Sequence, residues 1–338
     1  MKFLPILLLV FLFACSENSS APLQVSPEQV SPNIAVEPGA RAYLFDTLGV
    51  KEARVVFRND ETENLVLVQF MPDTTIAVEY DSEIDVYHPV FSPDGSWIAF
   101  GTSPEPVGGR LSRVYLQRFE NFTERILMDF DSAIPRFRVL PSGDTVLIYV
   151  ETSYINDSTA FWNSQSTWMA SFQNGTLGTS TPILSGFYHG GVSEDFRLAV
   201  TGSHYLRVHS EIADVKKDTI WYDSAQVCNV SLSTDGTLRT LFLDLGASRG
   251  VEFSGAEYSG HHRLLIADSL GNLIESIPSP EPYSFDHPEW VYGSSYLVST
   301  ILARDFHEKV ALLDVRDSSV HPLVSGNELW HPDIWIKK

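Results

Sequence analysis

The sequence predicts an all-β protein, a six-bladed β-propeller that is closed by pairing of N-terminal strands with the C-terminal strand. Three observations indicate this fold class: short apolar runs rich in β-forming residues, a scarcity of helical periodicity, and one motif that recurs at the length of a propeller blade. The chain has 338 residues, 43% hydrophobic and 20% charged, which is enough for a large apolar core.

Residues 1–14 are predicted to be a secretory signal peptide. A Lys at position 2 precedes an apolar run from Phe3 to Ala14 that is too short to span a bilayer. The end of this run, from Leu12 to Cys15, resembles the lipobox of bacterial lipoproteins, in which the chain is cut before a Cys that then carries acyl chains. The resemblance implies lipidation of Cys15, for example by palmitate, and Ser16 favours the outer membrane. A plain signal peptide with a chance Cys is the alternative.

A flexible tether is predicted at 15–39, starting with the lipidated Cys15, because these residues are rich in Ser, Pro, Glu and Asn and lack apolar periodicity. The propeller domain is expected at 40–338. With 23 basic and 43 acidic residues the chain has a net charge of -20, which argues against binding to nucleic acid and to anionic lipid head groups. Contact with the lipid bilayer is therefore expected through the acyl chains of Cys15 only.

From residue 40 onward, runs of five to eight residues rich in Val, Ile, Leu and aromatic residues alternate with Gly, Asp, Asn, Ser and Pro. This pattern is typical of short strands joined by turns. No stretch of a dozen residues keeps a 3.6-residue apolar period with caps, so helices are expected to be scarce. Cys228, in the apolar run AQVCNVSL, is interpreted as a small buried hydrophobic residue.

The segment VYHPVFSPDGSWIAF is the clearest copy of a repeated unit. It occupies 86–100, and related segments lie at 134–149, 188–200, 228–242 and 286–298. A sixth copy, WHPDIWIKK, ends the chain, and the mean step between copies is about 49 residues, the length of one four-stranded blade. Because the sixth copy stops after one strand, we expect residues 330–336 to pair with N-terminal strands and close the ring.

The residues of the motif have physical roles in a blade. Asp-Gly supplies the positive φ of a tight hairpin, and the Pro starts an innermost strand whose free edge tolerates a missing N–H. One apolar position of each copy is expected to pack between neighbouring blades: Phe91, Phe137, Val192, Leu232 and Trp290. The pattern of a Pro, one residue, an aromatic, Ser-Pro-Asp-Gly and Ile-Ala-Phe resembles the repeat of TolB-like six-bladed propellers. This resemblance implies the fold over 40–338 and says little about function.

Four histidines fall at the same position of the repeat, and two other residues complete the set: His88, His189, His287, His331, Ile134 and Asn229. Since equivalent positions of a closed ring are related by rotation, these side chains are expected at one end of the central channel, with Asp286 nearby. They are candidates for a polar rim that binds a ligand. The alternative is structural: each His hydrogen-bonds the backbone of a neighbouring blade.

A metal site is not expected, because histidines in a six-fold ring are expected to lie too far apart to share an ion. His261, His262 and His307 are interpreted as loop or solvent positions. The segment Gly246 to Gly250 satisfies the G-x-S-x-G pattern of a hydrolase nucleophile, but the residues that follow it favour a loop over the required helix. No cofactor site is recognised.

The sequence therefore favours a non-enzymatic binding or scaffold lipoprotein of the bacterial cell envelope, with its propeller in the periplasm or at the cell surface. Another envelope protein is the expected partner. The alternative is a glycan- or peptide-binding propeller with its ligand at the channel mouth, and a hydrolytic propeller is less favoured.

Overall fold

The computed structural model describes residues 33–80, 84–102, 112–120, 125–127, 132–151, 165–202, 204–212 and 217–338. The predicted signal peptide, Cys15 and the tether up to residue 32 lie outside these ranges. The described residues form antiparallel sheets arranged as a six-bladed β-propeller, which confirms the predicted fold class.

Each blade has four main strands, and its first strand lines the channel. A short strand, β1 (Ala35–Val36), precedes the blades. Blade one contains β2 (Glu52–Asn59), β3 (Asn64–Phe70) and β4 (Thr75–Tyr80). Blade two contains β5 (Tyr87–Phe91), β6 (Trp97–Gly101), β7 (Tyr115–Arg118) and β8 (Arg125–Leu127). Blade three contains β9 (Ser132–Val139), β10 (Thr145–Glu151), β11 (Ser166–Gln173), the short β12 (Thr176–Leu177) and β13 (Thr181–Ser185).

The remaining strands complete the ring. Blade four contains β14 (Gly191–Val192), β15 (Leu198–Gly202) and β16 (Tyr205–Ser210), followed by β17 (Lys217–Leu232). Blade five continues with β18 (Thr240–Asp244), β19 (Arg263–Ala267) and β20 (Leu273–Pro278). Blade six contains β21 (Ser284–Trp290), β22 (Leu297–Ala303), β23 (His307–Asp314) and β24 (Ser319–Ser325), and the chain ends with β25 (Leu329–Lys337).

The ring closes between the two ends of the chain, as the truncated sixth copy predicts. Strand β25 pairs antiparallel with β2 and supplies the innermost strand of blade one, in the sheet order β25-β2-β3-β4. The pairing extends from Glu52 opposite Lys337 to Asn59 opposite Leu329. The inner edge of β2 is therefore covered, and β25 faces the channel in blade one as the first strand of each other blade does.

Residues 33–39, predicted as the end of the tether, belong to the folded body. Strand β1 pairs with β24 and adds a fifth strand to the outer edge of blade six. Glu37 also accepts a hydrogen bond from Lys309 Nζ at 2.9 Å. A π-helix, Ala42–Thr47, then leads the chain to β2 and buries Tyr43 and Leu44. The boundary predicted at residue 40 is therefore too late.

Strand β17 serves two blades. Its first part pairs with β16 as the outer strand of blade four, and Val227 to Leu232 pair with β18 as the innermost strand of blade five. Three consecutive residues between these parts, Tyr222, Asp223 and Ser224, have φ values of 54 to 60°. This left-handed stretch turns the chain from the rim of one blade towards the channel side of the next.

The core lies between blades rather than within one central layer. Six apolar clusters of the described residues each join two neighbouring blades around the ring. The repeat positions predicted to pack there are all buried, each with 4% exposure or less: Phe91, Phe137, Val192, Leu232 and Trp290. Burying a side chain of this size stabilises the fold by roughly 1.5–3 kcal/mol, so the repeated apolar position holds adjacent blades together.

The Asp-Gly corners adopt the predicted backbone. Gly95 and Gly236 have φ values of 71° and 78°, and Asp94 and Asp235 accept backbone N–H bonds from the residue after each glycine. One expectation about the loops is wrong: a seven-residue helix, α1 (Ser248–Ser254), begins at the Ser of the G-x-S-x-G segment and continues past its end. Its C-cap is Gly255 at φ 69°, where glycine has no Cβ to strain the turn.

Candidate functional site

A cavity of about 260 Å³ lies in the channel, and residues of all six blades line it. The six equivalent repeat positions meet there: His88, Ile134, His189, Asn229, His287 and His331. Asp286 lies beside them, since Asn229 Nδ2 donates to Asp286 Oδ1 across the boundary between blades five and six. The structure therefore brings the predicted candidate residues together at one place in the channel.

The backbone at these positions is strained in the same way in five blades. His88, Ile134, Asn229, His287 and His331 have φ values between 43° and 52°. Each lies at a β-bulge, where the ladder to the second strand of its blade shifts register. Asn and His tolerate left-handed φ better than most residues, whereas a β-branched Ile is an outlier there. A bulge redirects a side chain, so the repeat uses backbone strain to aim this position.

Three of the histidines contact one another with tilted rings across consecutive blades. The ring centres of His88 and His331 are 3.7 Å apart, and those of His287 and His331 are 4.0 Å apart. The rings of blades six, one and two therefore lie closer together than the six-fold spacing predicts, although His88, His287 and His331 do not form a metal-sized cluster of ligand atoms among the described residues. The Nε2 atoms of His88 and His287 are buried and have no hydrogen-bond partner among the described residues. Backbone hydrogen bonding does not account for these two rings.

Burial keeps these imidazoles neutral. Burial lowers the pKa of His88 and of His331 well below the usual value, and the charges of neighbouring His and Arg side chains lower it further. Burial also lowers the pKa of His287, although Asp286 opposes this shift. At neutral pH each ring therefore offers one N–H donor and one nitrogen lone pair.

His189 stands apart from this row. Its Nδ1 lies 2.6 Å from Thr201 Oγ1 of the same blade, and its ring meets the Phe187 ring edge-on with centres 5.3 Å apart. Burial, reinforced by the positive charge of Arg136, lowers the pKa of His189 to about 3. His189 is therefore held by its own blade and stays neutral over the physiological pH range.

An ion pair crosses the channel two residues beyond the histidine positions. Arg136 Nη1 and Nη2 donate to the two carboxylate oxygens of Glu289 at 2.7 and 2.5 Å, and Arg136 Nε donates to the His189 carbonyl at 3.0 Å. These residues belong to blades three and six, which lie opposite each other in a ring of six. Both also line the cavity. The bidentate pair therefore bridges the channel at the wall of the cavity.

Asp333 lies in the same layer, on β25. Phe91 N donates to Asp333 Oδ2 at 2.7 Å. Burial raises the pKa of Asp333 to about 7, against the opposing effect of that hydrogen bond. Arg136, Glu289 and Asp333 were not predicted as cavity residues, although each follows a repeat position by two residues. That spacing was the available signal, because alternate residues of a strand share a face.

Two histidines interpreted as loop or solvent positions have specific partners instead. His261 Nε2 lies 2.9 Å from Cys228 Sγ, and Cys228 lines the cavity. His307 Nε2 lies 2.9 Å from Asp286 Oδ2. Burial opposes a charge on His307, but Asp286 and Glu328 raise its pKa overall. Cys228 is therefore half-buried: it packs against the apolar cluster between blades five and six, as predicted in part, and its Sγ also contacts His261.

The G-x-S-x-G segment does have a strand before it and a helix after it, contrary to the sequence-based expectation. Strand β18 nevertheless belongs to an antiparallel blade, and Ser248 is exposed at the start of α1. Asp244 accepts hydrogen bonds from Tyr222 Oη at 2.7 Å and Tyr258 Oη at 3.0 Å and packs beneath Gly250. This segment is thus a braced corner at the outer side of blade five.

Comparison with known proteins places the fold. No protein-family model matches the chain, and no curated protein matches it. Among solved structures, TolB from Acinetobacter baumannii aligns with a TM-score of 0.55 and 11% identity, covering 87% of this chain and 70% of that chain. Kuenenia stuttgartiensis hydrazine synthase aligns with a TM-score of 0.54 and 10% identity, covering 86% of this chain and 47% of that chain. The chain therefore has the TolB-like propeller fold that its repeat predicts.

No helix among the described residues is long and apolar enough to cross a membrane.

Proposed function

We propose that this chain is a non-enzymatic binding propeller of the bacterial cell envelope, and that it receives a group of a partner protein in its channel cavity. The observation that carries this proposal is the convergence of all six repeat positions on one cavity. The cavity presents imidazoles, an amide and an ion pair to any group that enters it.

The size and chemistry of the cavity define what can enter it. A volume of about 260 Å³ is below the usual range for drug-sized ligands, ~300–1,000 Å³. It suits a side chain or the end of an extended segment of a partner protein. Neutral His88 and His287 each keep a buried Nε2 atom without a partner among the described residues. A ligand group that hydrogen-bonds these atoms would gain affinity by relieving a buried unsatisfied polar atom.

The envelope location is proposed on the N-terminal sequence. Residues 12–15 match a lipobox, so Cys15 would carry acyl chains, and each buried methylene would contribute ~0.8 kcal/mol to membrane attachment. Labelling of growing cells with a palmitate analogue tests this directly. We expect incorporation into the wild-type chain and none into a Cys15→Ser variant. Equal labelling of both would remove the anchor from the proposal.

Crosslinking in intact cells tests partner binding. The double variant His88→Ala/His287→Ala should lose at least tenfold of the partner captured with the wild-type chain, because it removes both unsatisfied imidazoles from the cavity. The control is Leu270→Ala, since Leu270 is 66% exposed in the β19–β20 turn, and its capture should equal the wild type. Unchanged capture by the double variant would contradict the proposal. A lowered melting temperature of the double variant would instead assign these histidines a structural role.

The polar lining of the cavity supports a second candidate, a short peptide or glycan that binds at the channel mouth, because imidazole, amide and carboxylate groups hydrogen-bond such ligands. Thermal-shift measurements on the purified chain with short peptides and oligosaccharides distinguish the two. Stabilisation by one such compound that disappears in His88→Ala/His287→Ala would support the small ligand over a protein partner.

A further inference from the structure

Three side chains of the types that bind metal ions lie close together where blade six meets the channel. Asp286 and His287 lie on β21 and His307 begins β23, and one ligand atom from each lies within 4.8 Å of the other two. All three side chains are largely buried, with exposures of 18%, 12% and 13%. His287 also lines the channel cavity, so the cluster borders open space.

The distances suit one small ion with little rearrangement. His307 Nε2 lies 2.9 Å from Asp286 Oδ2, and His287 Nε2 lies 3.9 Å from Asp286 Oδ1. Ligand atoms placed tetrahedrally ~2.0–2.2 Å from one ion are about 3.3–3.6 Å apart. The two observed distances involve the two different oxygens of Asp286 and lie on either side of that range. Since one ligand atom from each residue lies within 4.8 Å of the other two, a modest rearrangement of the side chains would bring all three onto one centre.

The three side chains are themselves held by neighbouring polar groups, of the kind that orient metal ligands in known sites. His307 Nδ1 faces Glu328 Oε2 at 3.4 Å, and Trp330 Nε1 donates to the same oxygen at 3.0 Å and fixes it. Asn229 donates to Asp286 Oδ1. A carboxylate behind a ligating imidazole orients the ring and makes its other nitrogen a better donor to a metal.

We propose that Asp286, His287 and His307 hold one divalent transition-metal ion of the Zn²⁺ class at the wall of the channel. Two imidazoles with one carboxylate match the nitrogen and oxygen preference of Zn²⁺, Co²⁺ or Ni²⁺, whereas Mg²⁺ and Ca²⁺ take oxygen ligands. Three protein ligands leave at least one coordination position for a water molecule or a ligand group from the cavity. This inference concerns the chain alone and does not depend on a partner protein. With the ion bound, His88 Nε2 remains available to a group in the cavity, and the open coordination position replaces His287 Nε2 as the second point of attachment.

A simple ion pair between Asp286 and His307 is the competing explanation, and the chain offers a matched comparison. His209 Nδ1 lies 2.6 Å from Asp218 Oδ1, but no third residue completes a metal-sized cluster at that pair among the described residues. Both sites include a buried Nε2 atom without a hydrogen-bond partner among the described residues, on His209 and on His287. What distinguishes the blade-six cluster is that this atom belongs to a third ligand, His287, beside the pair of Asp286 and His307. An ion would occupy that lone pair, whereas an ion pair between Asp286 and His307 leaves it unused.

Titration of the purified, metal-stripped chain with Zn²⁺ and Co²⁺ tests the proposal. We expect saturable binding of one ion per chain, with the visible absorption of a tetrahedral or five-coordinate Co²⁺ centre. His307→Ala and His287→Ala should each weaken binding at least tenfold. Glu328→Gln should weaken it about tenfold, because it alters only the orientation of His307. His209→Ala should bind as the wild type does.

Several outcomes would overturn the metal site. They are the absence of saturable binding, binding that survives both His287→Ala and His307→Ala, and binding that His209→Ala abolishes. Circular dichroism and the melting temperature of each metal-free variant show whether it folds. If His287→Ala is unfolded, His287→Gln provides the test, since it fills similar space but lacks the imidazole. Loss of metal binding with unchanged partner capture would separate this inference from the proposed function.

Discussion

At the scale of single residues, the buried carboxyl of Asp333 makes stability depend on pH. Its pKa of about 7 in the folded chain exceeds the ordinary aspartate value, so the folded state keeps a proton that the unfolded state releases. This contribution to stability is full below about pH 4 and is lost as the pH rises towards 7. We expect Asp333→Asn to be more stable than the wild type at pH 8, by roughly 4 kcal/mol, and to be within about 1 kcal/mol of it at pH 4.5.

Urea unfolding at the two pH values measures this difference. The channel histidines titrate in both proteins, so their effect cancels in the comparison. Asparagine retains an oxygen that can accept the Phe91 N–H bond, which keeps the contact between β5 and β25. Asp305→Asn is the control, because the Asp305 side chain is 77% exposed and should show no such pH dependence. A constant difference between Asp333→Asn and the wild type at both pH values would refute the assignment.

The sequence predicted the positions of channel residues that belong to the repeat, but not of those that lie outside it. His88, His287 and His331 were found because rotation about a ring axis superimposes equivalent positions. His307 was missed because it lies on the third strand of blade six, outside the motif, and only the register of β21, β22 and β23 brings it to Asp286. The contact between Cys228 and His261 likewise depends on a loop path that no periodicity encodes.

At the scale of elements, the Asp-Gly corner of blade two also takes part in ring closure. Gly95 has φ 71°, and a Cβ there would lie 2.5 Å from the Trp335 ring of β25. Trp335 Nε1 donates to the Pro93 carbonyl at 3.0 Å, and Arg54 Nη1 donates to the Gly95 carbonyl at 2.6 Å. We expect Gly95→Ala to destabilise the chain by about 2–4 kcal/mol, combining backbone strain with overpacking.

Gly236→Ala is the matched control for that change. Gly236 has φ 78° in the equivalent corner of blade five, but nothing lies within 4 Å of a Cβ built there. Its cost should be limited to backbone strain, about 1 kcal/mol. Denaturant midpoints of the two variants measure the difference, and equal losses would show that the contact with Trp335 contributes nothing.

Two elements escaped prediction for physical reasons. Helix α1 is only seven residues long, and it depends on Gly255 at its end and on tertiary contacts of Gly250 rather than on an apolar period. Strand β1 has two residues and no intrinsic strand signal, and the exposed edge of β24 supplies its partner. Short elements of this kind are determined by the surface onto which they pack.

At the scale of the whole molecule, stability rests on ring closure by β25. Removing residues 329–338 would leave β2 as an open edge and expose the apolar clusters on both sides of blade one, which include Leu329, Ile334 and Trp335. We expect the truncated chain to lose the cooperative thermal transition of the full chain. Addition of a synthetic peptide of residues 327–338 should restore part of it, while a scrambled peptide should not. A truncated chain that melts like the full one would show that closure is dispensable.

The six-fold plan was predictable from the sequence because every blade repeats one apolar position and one corner, and the count of copies fixes the ring. The contents of the channel were predictable only in part. The repeat places a residue at the mouth, but the bridge between Arg136 and Glu289 joins blades 153 positions apart along the chain. Only a closed ring of known size places those two blades opposite each other.

The attachment of β1 has a mechanical consequence. Any force transmitted through the chain that precedes residue 33 reaches β1 first, which forms two residue pairs with β24, whereas β25 forms seven with β2. Under such a force, the pairing of β1 with β24 and the Glu37–Lys309 contact should break before the pairing of β2 with β25. When these contacts break, each residue that is released lengthens the extended N-terminal segment by roughly 3.3–3.6 Å. A pull on the N-terminal side would therefore extend the residues before β2 first, and it would reach the pairing of β2 with β25 only after that extension.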